Sequence, residues 1–162
     1  AAGAPPRLLD MGVEPFLLAS TLNVVIAQRL VRRICLKCIE SYHLTPEEIE
    51  SLSKEFDLAQ MLQRFKDLKW VEDNLNSFNE LTFYRGKGCK HCHQSGYSGR
   101  VSALEILENS PAIQKLIIKN ISSNELQLTA IENGMITIFE DGLQKALLGT
   151  TSIAEVLSIK HE

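Results

Sequence analysis

Four cysteines are the residues of this chain whose types and spacing point most directly to chemistry. They form two Cys-x-x-Cys pairs, Cys35 with Cys38 and Cys89 with Cys92, and the sequence contains no other cysteine. Two thiolates of such a pair can converge on one metal ion, and zinc accepts four sulfur ligands in a tetrahedron at about 2.3 Å. The spacing therefore predicts one structural Zn²⁺ site with these four ligands. Because residues 39–88 separate the pairs, the metal would close a long insertion.

Alternatives to a four-sulfur zinc site are a redox centre, disulfide bonds, or a site with a histidine ligand. A thioredoxin-like redox centre needs one Cys-x-x-Cys near a βαβ unit, usually at a helix start, and neither pair opens an evident helix. Disulfides would require an oxidising compartment, and the first residues do not resemble a signal peptide. His91 and His93 flank Cys92 and could replace a sulfur ligand. With four thiols present, we interpret both as loop histidines that could donate hydrogen bonds to the sulfurs.

Composition is that of an ordinary globular protein with one medium domain or two small ones. Of the 162 residues, 44% are hydrophobic and 23% are charged, and the net charge is -3. This charge argues against bulk electrostatic binding to nucleic acid. The apolar runs at 16–19 and 24–27 are far too short to span a bilayer. Thiols kept free for a metal predict a cytoplasmic location, and a start without Met suggests a piece of a longer protein.

Ahead of the first cysteine pair, the sequence predicts two short helices and a strand. One helix would begin near Pro6 and end at Gly12, a second would cover 14–18, and 23–31 would form a Val- and Ile-rich strand. Three arginines are interleaved in this region: Arg29, Arg32 and Arg33. They either contact an anion or a neighbouring subunit, or form a solvated edge at the entry to the metal loop.

The insertion between the pairs is predicted to be helical. Thr45, Pro46 and Glu48 form a capping box at the start of one helix. The apolar residues of a second helix recur at helical spacing: Leu58, Met61, Leu62, Phe65 and Leu68. We interpret this stripe as packing surface, with a groove for a partner as the alternative.

The second half of the chain predicts a small zinc ribbon followed by helices. Strands at 81–85 and 101–107 flank the second cysteine pair and a Gly-rich turn at 95–100, as a ribbon requires. Four helices then start at Ser110, Ser122, Thr137 and Ser152, and Gly134 and Gly149 end two of them. The predicted fold class is α+β and mainly helical, with a short β-hairpin at the metal and a C-terminal helical bundle.

No catalytic site is evident in the sequence. A phosphate-binding loop of the form G-x-x-x-x-G-K-S/T is absent, and the triplet at 86–88 lacks both its spacing and its hydroxyl. The sequence likewise contains no H-E-x-x-H and no G-x-S-x-G. A four-sulfur zinc site has no open position for water, so it would be structural. We therefore assign no catalytic residue.

Several long motifs resemble the secretion-traffic ATPases of type II secretion and type IV pilus assembly. They are RLLDMGVEPFLLAS at 7–20, AQRLVRRICLKC at 27–38, FYRGKGCKHC at 83–92, SGYSGR at 95–100 and DGLQKALLGTTSIAEVL at 141–157. The resemblance covers nearly the whole chain and concerns the C-terminal region of that family.

The resemblance implies three parts and a role. Residues 1–34 would be the tail of a RecA-like motor domain, 35–107 the family's tetracysteine metal subdomain, and 108–162 a terminal helical subdomain. It implies a hexameric ATPase parent at the cytoplasmic face of the bacterial inner membrane, with its own subunits and a membrane platform protein as partners. ATP and Mg²⁺ would be bound only by the parent, whose Walker motifs are missing here, so this region would be inactive alone and would transmit force.

Two other functions remain open at this point. The chain could be a free-standing zinc-ribbon module that binds a protein or nucleic acid through a basic face near the metal. That face would comprise Arg29, Arg32, Arg33, Arg85, Lys87, Lys90 and Arg100. It could also be a redox switch, in which thiol oxidation releases zinc.

Overall fold

The computed structural model describes residues 1–160, in which eight α-helices and four β-strands make an α+β fold. In chain order these elements are α1 (Ala4–Asp10), α2 (Pro15–Thr21), β1 (Val24–Ile34), β2 (Ile39–Tyr42), α3 (Pro46–Ser53), α4 (Leu58–Asp67), β3 (Phe83–Gly86), β4 (Tyr97–Glu108), α5 (Pro111–Ile118), α6 (Ser123–Glu132), α7 (Ile138–Leu147) and α8 (Ile153–Lys160). None of the helices in this part of the chain is long and apolar enough to cross a membrane.

The chain forms two compact units, and each is assembled from separate stretches of sequence. Unit 1 combines Ala1–Leu30 with Ser102–Asp141, and unit 2 combines Val31–Val101 with the chain from Gly142 onward. The division falls inside β1, β4 and α7. The four terminal helices are all present, but α5 and α6 belong to unit 1 whereas α8 belongs to unit 2.

Unit 1 has an aliphatic core built mainly from helices. Leu18 and Ala19 of α2 pack with Leu107 of β4 and with the buried faces of α5 and α6. The side-chain amide of Asn109 donates to the carbonyl oxygens of Ala19 at 2.8 Å and Leu22 at 2.7 Å. These bonds satisfy carbonyls at the end of α2 that the helix itself leaves unpaired.

The helices of the insertion, in unit 2, begin where the sequence predicts. Thr45 Oγ1 accepts from the Glu48 N–H at 3.3 Å, and the Glu48 carboxylate accepts from the Thr45 N–H at 2.8 Å, which completes the capping box. The apolar stripe of α4 turns inward, so that Leu62 and Phe65 are buried. Phe65 contacts Phe78, which in turn contacts Phe83 of β3, with ring centroids 6.2 and 6.0 Å apart. The stripe is therefore packing surface of this insertion.

The strand pairing differs from a simple ribbon. β3 pairs with β2 in antiparallel register, Ile39 opposite Gly86 and Tyr42 opposite Phe83, whereas β4 pairs with β1. β4 also begins at Tyr97, inside the segment predicted as a Gly-rich turn. β2 is only four residues long, which is too short for its alternation to be recognised in the sequence.

The caps of the terminal helices are largely as predicted. Ser110 and Ser122 accept hydrogen bonds at the starts of α5 and α6, and Thr137 exchanges reciprocal bonds with Glu140. The glycines predicted to end two helices, Gly134 and Gly149, have φ of 95° and 72°, which L side chains rarely adopt.

Replacing Phe65 with Ala should destabilise unit 2 by about 3–5 kcal/mol, because it removes the central ring of the aromatic cluster. Trp70, the only tryptophan, lies 5.6 Å from the Phe65 ring and reports on this cluster. Urea unfolding followed by its fluorescence measures the change. Phe16→Ala is the control, because Phe16 is 75% exposed. Equal midpoints for the two variants would contradict the packing role.

Candidate metal centre

The structure brings the four predicted cysteines together at one point of unit 2. All four sulfurs lie within 4.8 Å of one another. Three of the six separations are 3.7 Å for Cys89–Cys92, 3.8 Å for Cys38–Cys92 and 3.9 Å for Cys35–Cys89. A tetrahedral ion with metal–sulfur bonds of about 2.3 Å requires sulfurs about 3.8 Å apart, whereas a disulfide requires about 2.05 Å. The cluster therefore has the spacing of a four-sulfur metal site.

Backbone hydrogen bonds shape the two loops that present these sulfurs. The Cys38 N–H donates to the Cys35 carbonyl at 3.1 Å, and the Cys92 N–H donates to the Cys89 carbonyl at 3.2 Å, so each pair forms a tight turn. The Cys35 N–H donates to the Gly96 carbonyl at 2.9 Å and so joins the first loop to the segment after the second. Cys35 and Cys92 are buried, and the other two are partly exposed.

The sulfurs have opposed acid–base properties. Burial raises the pKa of the Cys92 thiol, but N–H groups of Cys89 and Gly96 donate to its sulfur at 3.2 and 3.3 Å, and the net pKa falls to about 6. Burial and the contacts with the other three sulfurs raise the pKa of Cys38 to about 12, against one donor from Gly88. Four neighbouring thiolates repel one another, so a cation is needed to hold them all ionised.

The two histidines beside Cys92 lie outside this ligand group. His91 and His93 are both exposed, and the cluster found in the described residues contains only the four cysteines. His93 ends the turn of the second loop in the left-handed conformation, with φ of 51°. We therefore find no role for either ring as a ligand in this arrangement.

Two glycines, Gly86 and Gly96, allow the loops to approach; the sequence predicts a Gly-rich turn around Gly96 but not its contact with Gly86. A Cβ on Gly86 would lie 2.1 Å from the Gly96 carbonyl oxygen, and a Cβ on Gly96 would lie 2.5 Å from the Gly86 oxygen. Both values are far below contact distance, so only glycine fits at either position. The signal available in the sequence was a glycine at the end of a strand, which often marks close backbone approach.

A polar clamp from the first turn of α8 and from the residues just before it holds the strand that leads to Cys35. Glu155 accepts from the Arg32 guanidinium at 2.7 Å and from the Arg32 N–H at 2.9 Å. Thr151 Oγ1 donates to the Arg32 carbonyl at 2.8 Å, and the Ile34 N–H donates to the Thr150 carbonyl at 3.0 Å. The clamp therefore fixes the end of β1 immediately before the first ligand.

Tyr97 extends this clamp to β4. The guanidinium of Arg32 lies 4.2 Å from the centre of the Tyr97 ring, within the range of a cation–π contact. The Tyr97 hydroxyl lies 2.7 Å from the hydroxyl of Ser152. Ser152 starts the last helix, as the sequence predicts, and its hydroxyl accepts from the Glu155 N–H at 3.4 Å, whereas the Glu155 carboxylate contacts Arg32. No local pattern reveals a partner so distant in sequence.

Comparison with known proteins agrees with the motifs quoted above. Residues 1–158 match the family model described as type II/IV secretion system protein. The chain is 38% identical to type II secretion system protein E of Xanthomonas campestris pv. campestris, over all of the chain and 25% of that protein. It is 34% identical to the type IV pilus assembly ATPase PilB of Myxococcus xanthus, over 97% of the chain and 25% of that protein.

The chain belongs to the type II/IV secretion system protein family, as the resemblance of its motifs predicted. A third relative, the PilB ATPase of Thermus thermophilus, is 36% identical over 98% of the chain and 16% of its own length. The chain thus spans a quarter or less of the length of these relatives.

Replacing Gly86 with Ala should lower the unfolding free energy of unit 2 by about 3 kcal/mol, because the new methyl forces two backbones apart. The same displacement should weaken metal retention, measured by competition with a chelator. Gly3→Ala is the control, since a Cβ there meets nothing within 4 Å. Unchanged metal retention in Gly86→Ala would show that the loops do not need this approach.

Glu155→Gln should cost about 1 kcal/mol at neutral pH, since Arg32 is half exposed and solvent screens the pair. Burial raises the pKa of Glu155, but hydrogen bonds from Arg32 outweigh this and lower it below its ordinary value of 4.5. A carboxylate whose pKa is lower in the folded than in the unfolded state stabilises the fold above its unfolded-state pKa. This stabilisation is lost as the pH falls through the folded-state pKa. Wild-type stability should therefore fall as the pH drops below about 4.5. The Gln variant should lack the part of this fall that comes from protonation of Glu155.

Denaturant unfolding across this pH range measures the effect, and Glu50→Gln is the matched control. Glu50 pairs with Lys54 on the surface, where both side chains are mostly exposed. An acid profile of Glu155→Gln that parallels the wild type would contradict the clamp.

Proposed function

We propose that this chain is the metal-binding C-terminal region of an ATPase that powers type II protein secretion or type IV pilus assembly. Membership of the family and the names of the relatives support this assignment. The observation that carries it is the meeting of the four cysteine sulfurs at tetrahedral spacing, inside motifs that match the family. In the longer protein, the segment 1–34 is proposed to be the tail of the RecA-like domain.

The proposed metal is Zn²⁺ in a structural role, bound by Cys35, Cys38, Cys89 and Cys92. A set of four soft thiolates in a tetrahedral array suits Zn²⁺. The d¹⁰ ion has no redox chemistry, and its structural sites are almost always tetrahedral. The ion would neutralise the repulsion among the sulfurs and hold the two loops together. Since all four positions are taken by sulfur, no position remains for a water nucleophile.

ATP turnover is assigned to the rest of the longer protein. The present sequence lacks a G-x-x-x-x-G-K-S/T loop, which supplies backbone N–H groups to phosphates and a hydroxyl to Mg²⁺. We assign no catalytic residue to this chain and expect it to be inactive alone. The proposed assembly is a hexamer in the cytoplasm, at the inner membrane, whose partners are its own subunits and a membrane platform protein.

The proposed contribution of the metal centre is to stiffen the region so that it can transmit force. The first ligand follows β1 directly, and the last precedes β4 by four residues, 93–96. Both strands carry residues of both units. Binding of structural zinc in small sites contributes on the order of 10 kcal/mol to folding. That energy would hold the ends of the two strands in place under load.

Elemental analysis should find one zinc per chain, with four thiols protected from a thiol reagent until a chelator is added. Cys89→Ser should then make residues 39–100 sensitive to protease, because the insertion loses its closure. The terminal helices should survive, since their caps and packing do not use the metal.

Lys90→Ser is the matched control, because Lys90 is the exposed neighbour of Cys89. Full protease resistance of Cys89→Ser across 39–100 would rule out the stiffening role. Four freely reactive thiols in the folded chain, with no metal, would rule out the zinc site itself.

A further inference from the structure

A shallow cleft opens on the surface of unit 2 beside the first cysteine loop. It has a volume of about 200 Å³, and its floor is formed by Ile34 and Cys35, which are buried. The rim consists of exposed side chains from β1, from both cysteine loops and from β4: Arg33, Leu36, Lys37, His91 and Ser98. A volume of this size admits a small polyatomic group, but not a large cofactor.

Every polar side chain on the rim can donate a hydrogen bond. Arg33 offers a planar fork of N–H donors, Lys37 an ammonium, His91 a ring N–H and Ser98 a hydroxyl. No carboxylate lines the cleft. Two permanent positive charges therefore face a space that contains no acceptor side chain.

Three neighbouring basic residues of the same unit form ion pairs, and those of the cleft do not. Arg32 forms an ion pair with Glu155, and both Arg85 and Lys87 form ion pairs with Glu40. Within residues 1–160, no ion pair involves Arg33, Lys37 or His91. The arrangement leaves the charge of the cleft available for an external anion.

We propose that this cleft binds a phosphate group, with Arg33 and Lys37 supplying the charge and Ser98 and His91 completing the donor set. A phosphate monoester carries a charge of about −1.5 to −2 at neutral pH, which matches the two permanent positive charges, and its three acceptor oxygens can each accept more than one hydrogen bond from the four donor side chains. A carboxylate has only two oxygens and one charge, and would leave donors unused. The four donor residues lie outside the four-sulfur ligand set, although Cys35 contributes to the floor, and the site adds to the function proposed above.

A competing role for the same charges is to offset the thiolates. A zinc ion with four thiolates carries a net charge of −2, and Cys35 forms part of the cleft floor. If this were the only role, loss of Arg33 and Lys37 would weaken metal binding and the cleft would not bind phosphate. The two roles therefore predict different results.

The test titrates inorganic phosphate into the metal-loaded chain at low ionic strength, followed by calorimetry and by ¹H–¹⁵N NMR. Saturable shifts should concentrate on the backbone signals of the cleft residues. The double variant Arg33→Gln with Lys37→Gln should weaken binding by about tenfold or more, since two charge-assisted bonds are lost. Zinc content is measured on every variant, so that a failure of the metal site is seen separately.

The matched control is Lys54→Gln with Lys69→Gln, which removes the same charge from exposed surface pairs of the same unit. Phosphate affinity of this control should equal that of the wild type. If the double variant at the cleft loses its metal, Ser98→Ala decides, because it removes one donor and no charge. Absence of saturable phosphate binding in the wild type, or equal affinity in cleft and control variants, would overturn the proposal.

Two further ligands identify the source of the phosphate group. Glycerol 3-phosphate presents a free monoester, and phosphatidylcholine vesicles containing phosphatidic acid present the same group in a bilayer. Arg33-dependent binding of glycerol 3-phosphate supports the cleft, with or without vesicle binding. Binding to vesicles alone would overturn it, because a general basic surface would then account for the attraction.

Discussion

Repulsion among four thiolates is the constraint on which the rest of unit 2 depends. Three pairs of sulfurs lie 3.7–3.9 Å apart, and without a cation the pKa values of Cys92 and Cys38 separate to about 6 and about 12. A single divalent ion removes this conflict and makes the short separations favourable. The surrounding chain then has to keep two loops, distant in sequence, at one point. It does so with backbone contacts and with the clamp from the first turn of α8 and the residues just before it.

Backbone geometry brings the two cysteine loops together, and side-chain packing holds the rest of the insertion. At the loops, Gly86 and Gly96 leave no room for a Cβ, so the approach is set by the main chain alone. Further into the insertion, the rings of Phe65, Phe78 and Phe83 form a cluster of their own, with centroids 6.2 and 6.0 Å apart. The insertion is therefore held at one end by aromatic packing and at the other by the sulfurs. The proposed zinc would contribute on the order of 10 kcal/mol, comparable to the whole stability of a typical domain, so with the ion bound the sulfur end would dominate.

Local signals in the sequence predicted local structure well. The cysteine spacing, the caps at Thr45 and Thr137, and the end of a helix near Gly149 all depend on residues a few positions apart. The pairing of β2 with β3, the ion pair of Arg32 with Glu155, and the division of the chain into two discontinuous units depend on residues far apart. Periodicity and capping carry no information on which distant partner a surface meets, so these features emerged only in three dimensions.

The arginines of β1 show how one strand serves two purposes. Successive side chains of a strand point to opposite faces, so Arg32 and Arg33 face different surroundings although they are adjacent. Arg32 contacts the Glu155 carboxylate and the Tyr97 ring, and its charge is paired at the first turn of α8. Arg33 meets no described carboxylate and lines the cleft beside Cys35. The sequence leaves open whether these arginines contact an anion or a neighbouring subunit, or form a solvated edge. In the structure Arg32 is instead paired within the chain, whereas Arg33 remains exposed at the cleft, because the pleat of the strand separates the two side chains.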